Sequence, residues 1–206
     1  MRKFLIIPSL LILGAFPALA QDCPDLIEAD CGGGTAWFGL RHDGANVGQG
    51  HSVTLPCDAT VVSVEFIFVV SGNPNGGVPS MVAGDEIHLV LVDAEGNHLT
   101  TTTNAIPADL YNDWITFTFA EGFVVPAGQY QFLAYTTVER QCAMAFCYEG
   151  GPMDVYDGGG RVASLNGLEG PWFGFNDTDA PFRLHLEEGS VANDARSWGS
   201  VKGLYR

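Results

Sequence analysis

The sequence predicts an all-β fold: an antiparallel two-sheet β-sandwich, jelly-roll-like, followed by a short irregular or helical C-terminal tail. Three observations predict it. Between Ala83 and Thr137, apolar residues alternate with polar ones in run after run. Gly, Pro and Asn punctuate those runs at short spacings. Helical periodicity is nearly absent, with Asp109 to Asn112 the one place where a short turn of helix is expected. A period of two marks strands with one buried face, and short punctuated runs mark consecutive antiparallel strands.

The elements follow in order. Gln21 to Gly34 is a Cys- and Gly-bearing lead-in, expected to be irregular. Thr35 to Leu40 and Gly48 to Leu55 are short strands. Ala59 to Val70 is the longest apolar segment, and its β-branched and aromatic residues favour a strand over a helix. Strict alternation there puts Val62, Val64, Phe66, Phe68 and Val70 on one face. Ser71 to Pro79 is a Gly-, Asn- and Pro-rich loop. Asp85 to Val92 and Asn97 to Thr103 form a hairpin around Ala94-Glu95-Gly96, whose late Gly suits a positive φ. That pairing sets His88 opposite about Thr102.

Trp114 to Phe119 turns Ile115, Phe117 and Phe119 inward and Trp114 to the opposite side. Gln129 to Thr137 places Tyr130, Phe132 and Ala134 together, and Arg161 to Leu165 and Pro181 to Leu186 are the last strands. The domain so defined spans residues 35–188. Residues 189–206 are a small polar linker followed by a basic, aromatic segment carrying Trp198, Lys202, Leu204 and Tyr205.

The first twenty residues read as a cleaved secretory signal. Arg2 and Lys3 precede an apolar stretch from Phe4 to Phe16, and Ala18-Leu19-Ala20 is a small-residue cleavage site. That stretch is too short to span a bilayer, and no membrane insertion is expected. The destination is extracellular or the cell surface, with the periplasm as the alternative. The formal net charge of −15 becomes −17 without Arg2 and Lys3. Residues 189–206 hold Arg196, Lys202 and Arg206 against Asp194, so residues 21–188 carry −19. A body this acidic excludes nucleic acid and anionic membranes as partners and suits cations, neutral glycans or basic surfaces.

Five Cys follow the signal: Cys23, Cys31, Cys57, Cys142 and Cys147. An exported chain meets an oxidising compartment, so disulfides are expected, and the odd count leaves one thiol over. On one straight strand Cys142 and Cys147 would lie roughly 16 Å apart at ~3.3 Å per residue, too far to bond to each other. The expectation is Cys23 with Cys31, and Cys57 with Cys142 or Cys147.

The segments Gly48 to Val53, Val90 to Asn97, Trp114 to Phe119, Val124 to Tyr130, Tyr156 to Gly159 and Pro181 to Leu184, in this order and spacing, resemble the jelly-roll, carbohydrate-binding-module-like β-sandwich domains of bacterial secreted and cell-surface proteins. The resemblance implies a non-catalytic module that binds glycans or mediates attachment, often with a structural calcium. Such modules are usually appended to larger proteins, whereas here the module is nearly the whole chain. That favours a stand-alone adhesin or assembly subunit.

Motifs for chemistry are missing. There is no Gly-x-Ser-x-Gly and no His-Glu-x-x-His, and His51 and Ser52 point to opposite faces of a strand. His42, His51, His88, His98 and His185 are scattered. With four Arg and no Lys, residues 21–188 are poorly equipped to grip an anionic polymer, which leaves a polysaccharide-acting enzyme as the third reading. Calcium is the one cofactor expected. Asn176-Asp177-Thr178-Asp179 offers alternating oxygens, and Asp154 and Asp157 bracket a Gly-rich turn. Candidate sugar-stacking rings are Trp37, Tyr111, Trp114, Tyr148, Tyr156 and Trp172. The leading expectation is a secreted binding or adhesion module whose partner is a glycan or cell-surface component. The alternative is a structural subunit that self-associates through its tail.

Overall fold

The computed structural model describes residues 23–31, 35–41, 47–70, 79–110, 112–148, 153–166, 172–175 and 177–188. Twelve strands lie within them: β1 (Leu26–Ala29), β2 (Thr35–Arg41), β3 (Gly48–Leu55), β4 (Ala59–Val69), β5 (Glu86–Asp93), β6 (His98–Ala105), β7 (Asp113–Val125), β8 (Gly128–Tyr135), β9 (Gln141–Cys147), β10 (Arg161–Ser164), β11 (Trp172–Phe175) and β12 (Phe182–Glu188). One sheet runs β1-β12-β4-β9-β2, with β7 also paired to β4. The second runs β11-β10-β3-β8-β5-β6. Every pairing between named strands is antiparallel. The predicted two-sheet sandwich is the observed fold.

The inward residues of both sheets form one core. Phe66, Phe68, Phe117, Phe132, Phe146 and Phe182 are fully buried in it, and Phe68 meets Phe117 edge-on at 6.1 Å between ring centroids. As the alternation predicts, Ile115, Phe117 and Phe119 are buried and Trp114 lies on the other face. Along one margin the sheets are tied together by side chains. Thr102 Oγ1 donates to Thr118 O and Asn104 Nδ2 to Thr116 O, each at 2.7 Å, linking β6 to β7.

Strict alternation fails in β4. Val62 has no partner on either side: β12 steps from His185 opposite Ser63 to Leu186 opposite Val61, and β7 also shifts register between Val61 and Ser63. This bulge reverses the phase, so Ala59 and Val61 face the core before it and Val64, Phe66 and Phe68 after it. Val62, expected inward, is only half-buried. A second bulge leaves Leu99 unpaired in β6 and sets His88 opposite Thr103, one residue from the expected Thr102. The turn between the two strands is as expected, with Gly96 at φ 84°.

Three strands have no counterpart in the sequence reading. Leu26–Ala29, expected to be irregular, pairs with β12. Gln141–Cys147 is buried at every position, so it carries no alternation to detect. Trp172–Phe175 is an edge strand on β10. Near Asp109 the chain makes a single turn closed by Leu110 N to Pro107 O, 3.4 Å, and Tyr111 of the expected turn lies outside the described residues. The tail and the signal segment lie outside the described residues.

The disulfide expectation is corrected. Cys23 bonds Cys57 and Cys31 bonds Cys147, leaving Cys142 as the free, buried thiol. The cause is β1, because strand pairing carries Cys23 and Cys31 to opposite ends of a short extended segment. Each then meets whatever the sheet brings alongside it. The two bonds mark an oxidising environment for the folded protein.

Candidate functional site

The site grows from one cross-strand pair on the outer face of the second sheet. Thr54 of β3 stands opposite Gln129 of β8, and both are exposed because their neighbours Val53, Leu55 and Tyr130 turn inward. The segment 153–160, on its way into β10, continues the antiparallel run alongside β3. Ser52 N donates to Gly160 O at 2.8 Å, and Thr54 Oγ1 donates to Gly158 O at 2.6 Å. Ser52 Oγ accepts from Gly160 N at 2.9 Å. This approach is so close that a Cβ on Gly159 would sit 1.8 Å from Ser52 O, which explains the Gly there. The result is an open groove of about 330 Å³ lined by Thr54, Gln129, Asp154, Asp157, Gly158 and Gly159.

A buried anchor holds that segment in place. Asp179, fully buried, accepts from Val155 N at 2.6 Å and Tyr156 N at 2.7 Å through Oδ2. Its Oδ1 accepts from His51 Nε2 at 2.8 Å. The backbone of Asp179 is engaged too, with its N donating to Met153 O and its O accepting from Cys147 N. Tyr156 packs edge-on against Phe182 at 5.3 Å, and its hydroxyl donates to Thr54 O at 3.2 Å. Burial pushes the Tyr156 phenol up, opposed by the hydrogen bond its oxygen accepts from Thr54 N at 3.3 Å and assisted by the charge of Asp179. The carboxylates of Asp154 and Asp157 thus project from a segment fixed at both ends.

Asp154 and Asp157 both line the groove. Asp177 is exposed on the approach to β12 and does not line it, and both oxygens of Asp179 are taken by protein donors. No third His, Cys, Asp or Glu joins the two carboxylates, and no group of three that could hold a metal exists among the described residues. Calcium at this point would draw on Asp154, Asp157 and neutral oxygens.

The aromatic candidates do not form one platform among the described residues. Tyr148 is exposed at the end of β9. Trp114 lies on the outer face of the first sheet with the Arg183 guanidinium 4.2 Å from its ring centre, and Arg183 also pairs with Glu65 at 3.5 Å. Tyr156 is half-buried with its hydroxyl occupied. Trp37 lies on β2 and Trp172 on β11, but their side chains, like the whole of Tyr111, lie outside the described residues. Sequence reasoning missed Thr54 and Gln129, whose only signal was being the polar members of alternating strands. It also missed Phe173 and Phe175, both exposed on β11, with Arg161 over the Phe175 ring at 4.7 Å.

Chemically the groove presents two carboxylates, an amide and a hydroxyl, and no basic group among the described residues that line it. Such a set accepts pairs of O–H or N–H donors and repels anions. No protein-family model matches the chain, and no curated protein sequence is significantly similar to it.

Proposed function

We propose that this protein is a secreted, non-catalytic module that binds neutral or amino-bearing glycans in the groove between Thr54, Gln129, Asp154 and Asp157. The observation that carries the reading is the polar groove itself, in which hydrogen-bonding groups from three chain segments converge on one open depression. Paired carboxylate oxygens suit adjacent sugar hydroxyls, and an amide opposite them supplies both a donor and an acceptor. The groove is built on paired strands and on a segment anchored by Asp179, so ligand binding needs little reordering. The His51–Asp179 pair is sealed in the core and offers no acid–base function to a bound sugar.

The resemblance of the sequence segments between Gly48 and Leu184 to carbohydrate-binding-module-like β-sandwich domains adds support to this reading, as does the signal-like N-terminus. A screen of the mature protein on a panel of neutral, amino and acidic glycans, followed by calorimetry with and without calcium, tests it. Binding to neutral or amino glycans that is lost in Asp154→Ala is the expected result. Silence across the panel in both calcium conditions removes the proposal.

A further inference from the structure

A second groove, of about 410 Å³, opens where the β5–β6 turn faces the β7–β8 turn. We propose that it is the docking site for the basic, aromatic C-terminal segment of the same chain, residues 196–206. This stands independently of the glycan reading, which concerns a neighbouring groove that shares only Gln129 with this one among the described residues.

The walls are apolar. Leu99, Phe123, Val124 and Pro126 contribute to them, and Val124 is 55% exposed. Leu99 is available because it is the unpaired residue of the β6 bulge. The rim is acidic. Glu95 and Asp93 stand at the hairpin turn, and no Lys, Arg or His lines the groove among the described residues. Asp93 accepts from Asn97 N, Asn97 Nδ2 and Glu95 N, and the Asn97 side chain leads the contacts that hold its carboxyl below the ordinary range. Asp58 lies close by, accepting from Ala127 N at 2.8 Å. The Tyr130 phenol at this groove is pushed up by burial and then by the charges of Asp93, Asp58 and Glu95.

The proposed occupant matches on both counts. Residues 196–206 carry Trp198, Val201, Leu204 and Tyr205 for apolar walls and Arg196, Lys202 and Arg206 for an acidic rim. The last described residue, Glu188, also lies beside the groove. Glu188 ends β12 opposite Ala59, and Ala59 is opposite Val125 of the groove lining. Two interstrand steps of ~4.8 Å put Glu188 roughly 10 Å from Val125. The seven residues 189–195 reach at most about 25 Å when fully extended, more than the distance to the groove. A segment tethered at that reach has an effective concentration on the order of millimolar, so docking onto its own groove outcompetes docking onto a second copy in dilute solution.

The test uses the full chain. A synthetic peptide of residues 194–206 is titrated calorimetrically into the wild-type mature protein and into the double variant Trp198→Ala/Leu204→Ala. The variant, with its own segment loosened, is expected to take up the peptide about tenfold more tightly than the wild type. Adding Val124→Asp to the double variant removes that uptake, and Glu95→Gln together with raised salt weakens it. Equal binding by wild type and double variant, or no binding to either, overturns the proposal. So does sedimentation of the wild type as a concentration-dependent dimer that the double variant lacks, since the segment would then dock onto a neighbour.

Discussion

His51 Nε2 and Asp179 Oδ1 lie 2.8 Å apart across 128 residues of sequence, and neither side chain is exposed to solvent. Through Asp179 the same bond reaches the backbone N–H groups of Val155 and Tyr156. One carboxylate therefore ties the inner face of β3 to the segment that carries Asp154 and Asp157.

Asp179→Ala strands one buried donor, His51 Nε2, and two part-buried ones, the N–H groups of Val155 and Tyr156. At about 1–3 kcal/mol per unsatisfied buried group, with some relaxation, the expected destabilisation is about 3–5 kcal/mol by urea unfolding. Asp179→Asn keeps one acceptor oxygen and should cost less. A loss under 1 kcal/mol for the Ala variant would show that the anchor is not needed.

Gly159→Ala and Gly96→Ala should differ sharply. The first places a Cβ 1.8 Å from the Ser52 carbonyl oxygen, a backbone atom that cannot step aside without opening the β3 pairing. The second meets nothing within 4 Å and carries only the strain of φ +84°. The expected costs are more than ~3 kcal/mol against roughly 1–2 kcal/mol. Thermal unfolding of the two variants compares them directly. Similar midpoints for both would mean that the segment 153–160 does not hug β3.

Cys142 predicts an alkaline instability. Burial pushes its thiol from the ordinary value of 9.0 up to about 12. The folded chain then keeps a proton that the unfolded chain releases above pH 9, so its contribution is complete below that pH and is lost as pH rises towards 12. The slope approaches ~1.4 kcal/mol per pH unit, about 4 kcal/mol in all. Tyr130, Tyr135 and Tyr156 shift upward as well, so the comparison of wild type with Cys142→Ala isolates the thiol. Parallel stability curves for the two proteins from pH 8.5 to 11 would contradict it. In the native state the thiol should also resist aromatic disulfide reagents and react only after unfolding.

The groove residues should separate binding from stability. Asp154→Asn, Asp157→Asn and Gln129→Ala alter exposed side chains, so each should move stability by no more than about 0.5 kcal/mol. Each removes a hydrogen bond to the ligand and should weaken glycan binding by about 5- to 30-fold in titration calorimetry, charge-assisted bonds towards the upper end. Unchanged affinity in all three would move the glycan site elsewhere, with the exposed Phe173 and Phe175 of β11 next in line.

Much of the scaffold was legible in the residues because it depends on local pattern. Ile115, Phe117 and Phe119 point inward because alternate side chains of a strand must share a face, and Gly96 sits at positive φ because a short hairpin turn asks for it. The bulge at Val62 was not legible, since Val61 and Val62 are both apolar and only the registers that β12 and β7 impose show which of the two is the extra residue. β9 escaped for the opposite reason, because a strand buried on both faces carries no alternation.

The amino-acid sequence alone determined the class of fold, the acidic body and the presence of one surplus thiol, all of which follow from short-range periodicity and counting. Tertiary structure alone decided which Cys was surplus, which two of four candidate Asp residues share a groove, and which Asp became a core anchor. Those outcomes depend on contacts between residues far apart in sequence, such as Thr54 with Gly158 and His51 with Asp179. Strand pairing sets them, and local sequence does not encode which strands will meet.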